Sequence, residues 1–230
     1  SSGLPSPRFD DITGDGKPEL IFHTGGRLGY ARPGADLTQP WRFFPISAKE
    51  GWGRYQHGLG FGDVNGDKKP DFMMVNGWWE QPAGKEPGAP GGATNWKKHA
   101  VRLGTRGGSH MYTYDVDGDG DMDIIASMDA HNYGLAWLEQ EKKDGNISFR
   151  KHLIMGGKPE ENAYGVRFSQ MHSVCLVDMD GDGLKDIITG KRYWAHGPKG
   201  DSEPGAPAVL YWFKLVRSKK SGVHSIPHQI

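Results

Sequence analysis

One acidic loop is written four times along the chain. The cleanest copy is Asp115-Val116-Asp117-Gly118-Asp119-Gly120-Asp121-Met122-Asp123. Asp178-Met179-Asp180-Gly181-Asp182-Gly183-Leu184-Lys185-Asp186 is nearly as clean, and Asp63-Val64-Asn65-Gly66-Asp67-Lys68-Lys69-Pro70-Asp71 keeps the same frame. Asp11-Ile12-Thr13-Gly14-Asp15-Gly16-Lys17-Pro18-Glu19 is a decayed version, with Thr13 for an acid and Glu19 at position 9. Oxygen ligands at loop positions 1, 3, 5 and 9, with Gly where the backbone turns sharply, are what a hard cation such as Ca²⁺ needs. The alternative reading is a set of solvated turns, which favour Asp and Gly anyway; in-frame repetition argues for the cation. The candidate ligands are Asp63, Asn65, Asp67 and Asp71; Asp115, Asp117, Asp119 and Asp123; Asp178, Asp180, Asp182 and Asp186; and, in the decayed copy, Asp11 and Asp15.

Self-similarity at a period of tens of residues constrains the fold to an array or a propeller. Short apolar runs flank each loop: Gly58-Leu59-Gly60-Phe61 and Phe72-Met73-Met74-Val75 around one, Val174-Cys175-Leu176-Val177 and Ile187-Ile188-Thr189 around another. These are strand signals on both sides of a tight turn, hence hairpins. Two further strand-like runs complete each unit, such as Gly134 to Glu139 and Ile147 to His152. Four short antiparallel strands per repeat make a propeller blade. The expectation is an all-β chain, one β-propeller domain over 1–230, with blades near 5–50, 51–104, 105–155 and 168–230. Long connections at Gly156 to Gln170 and His196 to Pro207 are of a length that often carries function.

Lys and Arg number 28 and so do Asp and Glu, so no overall field points to nucleic acid. No apolar run is long enough to span a bilayer. Cys175, the single cysteine, sits in a strand-like run and reads as a buried thiol. Ser1-Ser2-Gly3 reads as a processing scar. Weak extracellular sites are tuned to millimolar Ca²⁺, so a secreted or periplasmic protein whose leader is missing here is expected. Nothing in the sequence sets an oligomeric state.

Phe61-Gly62-Asp63 followed by Asn65-Gly66-Asp67, together with the two DxDGDG loops, resembles the FG-GAP/VCBS repeats of integrin α-chains and of many bacterial secreted proteins. The resemblance covers nearly the whole chain. It implies calcium-bearing blades and a carbohydrate or protein ligand. Such propellers usually have seven blades, which leaves a piece of a larger ring or a ring that closes with four. Calcium-bearing propellers also occur in a sugar dehydratase and in polysaccharide lyases, so a propeller enzyme acting on sugars, a lyase or dehydratase, is the alternative.

Antiparallel connectivity puts the acidic loops on one face and the other connections on the opposite one. That second face collects Arg54 to His57, Ser109-His110-Met111, Arg167 to His172, Asp129 to Tyr133 and Lys191 to His196. Taken singly, each histidine reads as a hydrogen-bonded rim residue. Taken together, His57, His172 and His110 are delivered to one pore, where imidazoles bind Zn²⁺ or a similar borderline metal or act as general bases. His57 and His172 precede their loop aspartates by six residues and His110 by five, so His110 points the other way unless a bulge intervenes. Pro5 holds the slot in the first blade. Tyr193 and Arg192 complete the candidate catalytic set, with Tyr55, His131, Tyr133 and Lys191 around it. Trp78, Trp79, Trp137 and Trp212 read as blade packing.

Overall fold

The computed structural model describes residues 7–83, 96–194 and 196–230; Pro5 lies outside them. It shows an all-β chain of four antiparallel sheets with four strands each. Blade one comprises β1 (Arg8–Asp10), β2 (Glu19–Thr24), β3 (Arg27–Arg32) and β4 (Arg42–Pro45). Blade two comprises β5 (Gly60–Gly62), β6 (Asp71–Met74), β7 (Gly77–Glu80) and β8 (Lys97–His99). Blade three is β9 (Tyr112–Tyr114), β10 (Asp123–Ser127), β11 (Leu135–Lys143) and β12 (Asn146–Met155), and blade four β13 (Val174–Val177), β14 (Asp186–Lys191), β15 (Val209–Ser218) and β16 (Gly222–Gln229). Among the described residues the remaining regular element is a 3₁₀ turn at Pro159–Glu161. No described helix is long and apolar enough to cross a membrane.

Each acidic loop closes the hairpin between the first two strands of its blade. Loop position 9 opens the second strand and pairs back to the first: Asp10 with Glu19, Gly62 with Asp71, Tyr114 with Asp123, Val177 with Asp186. The inner strands of all four blades border one cavity, lined by Arg8, Phe61, Tyr112 and Leu176 among others. Arg8 crosses it to lie 5.2 Å from the ring centre of Tyr112.

Three apolar cores stand between successive blades. Tyr30, Phe44 and Ile21 of blade one pack with Phe72 and Trp79 of blade two. Met73 and Trp78 pack with Ile124 and Leu138 of blade three, and Ile125 and Trp137 pack with Ile187 and Phe213 of blade four. Among the described residues no core joins blade four to blade one. Period-2 alternation makes this arrangement: the first residue after loop position 9 faces the preceding blade and the second faces the following one.

The side facing the following blade carries a repeated stack. A ring on the third strand lies over a ring on the fourth: Tyr30 on Phe44, Trp78 on His99, Trp137 on His152 and Trp212 on His228, with centroids 5.3, 3.9, 4.2 and 4.6 Å apart. Side chains also reach back to the preceding loop. Gln81 Nε2 donates to the Ile12 carbonyl and Gln140 Nε2 to that of Val64, at 3.1 and 2.9 Å. The side chain of Leu215, which stands in their place in blade four, has no donor, and Arg217 Nε supplies one to the Val116 carbonyl at 2.9 Å.

Cys175 is exposed, which corrects the expectation of a buried thiol. It pairs with Ile188 in the β13–β14 ladder and so shares the side of blade four that would face a following blade.

Truncating Trp78, which is 1 % exposed, removes a ring from a core between two sheets. Trp78→Ala should cost about 3–5 kcal/mol in urea unfolding, and Trp212→Ala, whose ring is half-buried, should cost clearly less.

Candidate functional site

On one face, the four loops fold by the same hydrogen bonds. The aspartate at position 1 accepts the amide of position 4 through Oδ1: Asp11 from Gly14, Asp63 from Gly66, Asp115 from Gly118 and Asp178 from Gly181, all at 2.7–2.8 Å. Those glycines have φ of 76–87°, the left-handed region that glycine enters without a Cβ penalty. Position 5 caps position 7 in the same way, at 2.8–2.9 Å.

The carboxylate at position 9 is buried and tied on both oxygens in blades two to four. Asp71 accepts the amides of Val64 and Gln81, Asp123 those of Val116 and Gln140, and Asp186 those of Met179 and Leu215, at 2.8–3.0 Å. In blade one the residue in register with Gln81 is Pro33, which has no amide hydrogen. There Glu19 turns to the loop instead and accepts the amides of Ile12 and Thr13 through Oε2. The decay of the first loop at position 9 therefore goes with the loss of a donor on the third strand.

Carboxylate oxygens of Asp115, Asp117 and Asp123 lie within 4.8 Å of one another, as do those of Asp178, Asp180 and Asp186. These are positions 1, 3 and 9; Asp119 and Asp182 at position 5 stand outside both groups. Lys214 contacts Asp180, and its Nζ lies 3.0 Å from Asp182, so an ammonium borders the fourth loop. Burial pushes the Asp71 carboxyl up to about 7, with Asp67 and Asp63 adding to it and the two amides opposing it. Burial likewise lifts Asp123 to about 6.

On the opposite face, histidines from three blades meet. His57 precedes β5, His131 lies in the β10–β11 connection, His172 precedes β13, and His196 lies in the β14–β15 connection. Ring centres are 5.2 Å apart for His57 and His131, 5.4 Å for His57 and His172, 5.0 Å for His131 and His172, and 4.7 Å for His131 and His196. One nitrogen from each of His57, His131 and His172 falls within a 4.8 Å group. Gly107 lets the chain pass beneath His57: its φ is 91°, and a Cβ there would meet the His57 carbonyl oxygen at 2.2 Å.

Asp201 orients two of the rings. Its side chain is 1 % exposed. Oδ1 lies 2.8 Å from His131 Nδ1 and Oδ2 lies 2.8 Å from His196 Nδ1. A carboxylate accepts only, so both rings donate from Nδ1, which leaves Nε2 as the atom that each neutral ring would offer to a ligand. His172 Nδ1 is 3.1 Å from the Gln170 carbonyl, which fixes the same tautomer, and its Nε2 is buried with no hydrogen-bond partner. Gln170 itself is held at φ 64° by its amide's bond to the Asn132 carbonyl and its side chain's bond to that of Ser202.

Electrostatics disfavour protonation of His57 and His172. Burial lowers His57 to about 4, with help from His172, His131 and His196 and against Asp129. Burial also lowers His172, against the Gln170 carbonyl and with the charge of Arg192. Burial alone would raise Asp201, but its bonds to His196 and His131 hold the carboxyl below its ordinary range. Asp129, bridged to Arg106 at 2.9 Å, accepts the His131 amide and braces that connection.

The structure thus brings His57 and His172 together and joins them to His131 and His196 rather than to His110. Asp201, absent from the residues the sequence singled out, sits in the long His196 to Pro207 connection, whose length was the signal. Tyr193 and Trp194 stack on each other at 5.2 Å and are about half exposed; Arg192 is exposed beside them, whereas Lys191 is buried and donates to the Arg192 carbonyl at 3.1 Å. Tyr55 is exposed under Arg54, and Tyr133 accepts from Arg167 at 3.2 Å.

The donor sets differ in kind. The loops offer oxygens, suited to Ca²⁺, and the opposite face offers imidazole nitrogens, suited to Zn²⁺ and its neighbours. Bonds of about 2.0–2.1 Å to a shared tetrahedral zinc put nitrogens roughly 3.4 Å apart, within a short closure of the observed group.

Residues 115–189 match the family model of the FG-GAP-like repeat, a span from the first aspartate of the third loop to Thr189 in β14. No curated protein sequence matches the chain.

Chelated protein carries Asp71 with a pKa raised from 3.8 to about 7. The folded state then holds a proton that the unfolded state has lost, so stability should fall as pH rises from about 4 to about 7. Urea unfolding in excess EGTA at pH 5 and pH 7.5 should show the greater stability at pH 5, with Asp71→Asn flattening the difference.

Proposed function

We propose, on the premise that this is an FG-GAP-repeat protein of propeller-like build, a calcium-stabilised module whose working surface is a histidine metal site. The observation that carries this reading is the convergence of His57, His131 and His172, with the buried Nε2 of His172 left without a partner. Such an atom costs free energy unless something binds it. Three imidazoles with an open position suit a zinc-class ion, which would polarise a carbonyl or hydroxyl oxygen of a ligand. His57, His131 and His172 would hold it, and His196 lies at the edge. Exposed Tyr193, Trp194 and Tyr55 offer ring faces, and Arg192 a cation, so the ligand class proposed is carbohydrate. A place of work outside the cytoplasm goes with millimolar Ca²⁺ at the loops.

The enzyme reading, a lyase or dehydratase acting on sugars, rests on the same open position. The chain's own part would be to bind the sugar against the aromatic rim, to hold neutral imidazoles near a proton beside a carbonyl, and to stabilise the oxyanion with Arg192. Tyr193 is the phenol available for proton exchange.

Metal analysis of the purified protein should find zinc-class metal at one equivalent as well as calcium. The double variant His57→Ala/His172→Ala should lose the first and keep the second. Asp201→Asn should weaken zinc about 10–100-fold, the usual cost of losing the group that orients a ligating histidine, with Co²⁺ absorption as the readout. Wild-type protein without zinc-class affinity would sink the site. Sugar turnover lost in the double variant would select the enzyme; glycan binding without wild-type turnover would select the module. EGTA should lower the melting temperature and Ca²⁺ restore it.

A further inference from the structure

The third strands of blades two to four differ in charge at one equivalent position. The amides of Gln81, Gln140 and Leu215 tie down the carboxylates at loop position 9. The residues just before them are Glu80, Glu139 and Lys214. The two glutamates turn to the fourth strand, where Lys97 and Arg150 stand opposite them. Lys97 and His99 hold Glu80, and Arg150 and His152 hold Glu139, at 2.5–3.3 Å. Opposite Lys214 stands Ile226, which offers no charge. Lys214 turns instead to its own hairpin, where it contacts Asp180 and its Nζ lies 3.0 Å from Asp182. All of these groups belong to one blade, so the contact does not depend on what lies beside that blade.

Asp180 and Asp182 are loop positions 3 and 5, two of the four candidate calcium ligands. The cations near the other loops stand elsewhere. In the third, Lys142 holds Asp121 at position 7, and Arg217 bonds the main-chain carbonyls of Asp115 and Val116. In the second, Lys69 lies 3.7 Å from Asp67. The electrostatics follow the same division. Burial raises Asp117 in the third loop, against the Asp119 amide, and Asp119, Glu139 and Asp115 add to it. In the fourth, the Leu184 amide and Lys214 hold Asp182 below its ordinary range.

We infer that the Lys214 ammonium is the resident cation of the fourth loop, which folds on it and takes calcium more weakly than the third. The inference rests on the calcium reading of the loops given above. Calcium affinity follows the net charge of the ligand set, and a divalent ion entering beside an ammonium about 4 Å away should bind at least ~10-fold more weakly. The blade that brings His172, His196 and Asp201 then keeps its loop charge balanced when calcium is withdrawn.

In chelated protein labelled with ¹⁵N-glycine, the Gly118 and Gly120 amides should shift at a Ca²⁺ concentration at least ~10-fold below that which moves Gly181 and Gly183. Lys214→Met, which keeps the stem and removes the charge, should bring the two midpoints together, and Lys214→Arg should keep them apart. In excess EGTA, Lys214→Met should melt below the wild type, and Ca²⁺ should close the gap. If Lys214→Met fails to fold, Lys214→Gln takes its place. Wild-type loops that fill at the same Ca²⁺ concentration, or midpoints unmoved by loss of the ammonium, would overturn the inference and leave the calcium reading standing. Glycines of both loops that stay still up to millimolar Ca²⁺ would overturn the calcium reading and this inference with it.

Discussion

Everything regular in this molecule hangs on a buried carboxylate at the start of each second strand. An ionisable group in that position is tolerable only when its oxygens are met by donors. In blades two to four they are met by two amides, one from the hairpin loop and one from the far side of the third strand. One side chain therefore fixes the loop conformation, the hairpin and the docking of the third strand at once. Blade one shows the dependence from the other side. Where Pro33 removes the strand donor, the aspartate gives way to Glu19, whose longer stem serves the loop alone.

The same regularity explains how blades stack. Alternation along a strand gives each sheet two different faces, one leaning back and one forward. The forward face carries the paired rings, and polar side chains reach back to the preceding loop. Leu215 cannot make that bond, and Arg217, two residues on, makes it instead. The position of the donor moved while its target carbonyl did not, so the constraint lies in the carbonyl that the next blade covers.

Strands, blades and loops were legible because each rests on local signals repeated in frame: Asp and Gly at fixed offsets, with alternating apolar runs on either side. The ring stacks were less so. Trp78, Trp137 and Trp212 read as packing residues, but their histidine partners lie a hairpin away and carry no mark in the sequence. Cys175 was misread because burial of a strand residue depends on a neighbouring sheet, and its side of blade four has none among the described residues. At the histidine face, entry-strand spacing brought out His57 and His172. Asp201 was missed because a single acid in a long connection looks like solvated loop, and only the fold sets it between His131 and His196.

The two groups of candidate ligands also differ in what they tie together. Every acidic loop draws its oxygens from one hairpin, so whatever occupies it acts within a single blade. The histidines come from three blades, and Asp201 clasps the third to the fourth. Their separations are a gauge of how the sheets are splayed around the channel. A small change in the angle between two blades would leave every acidic loop intact and yet spread the imidazoles, so this face reads the quaternary-like arrangement of the blades in a way that no single repeat can.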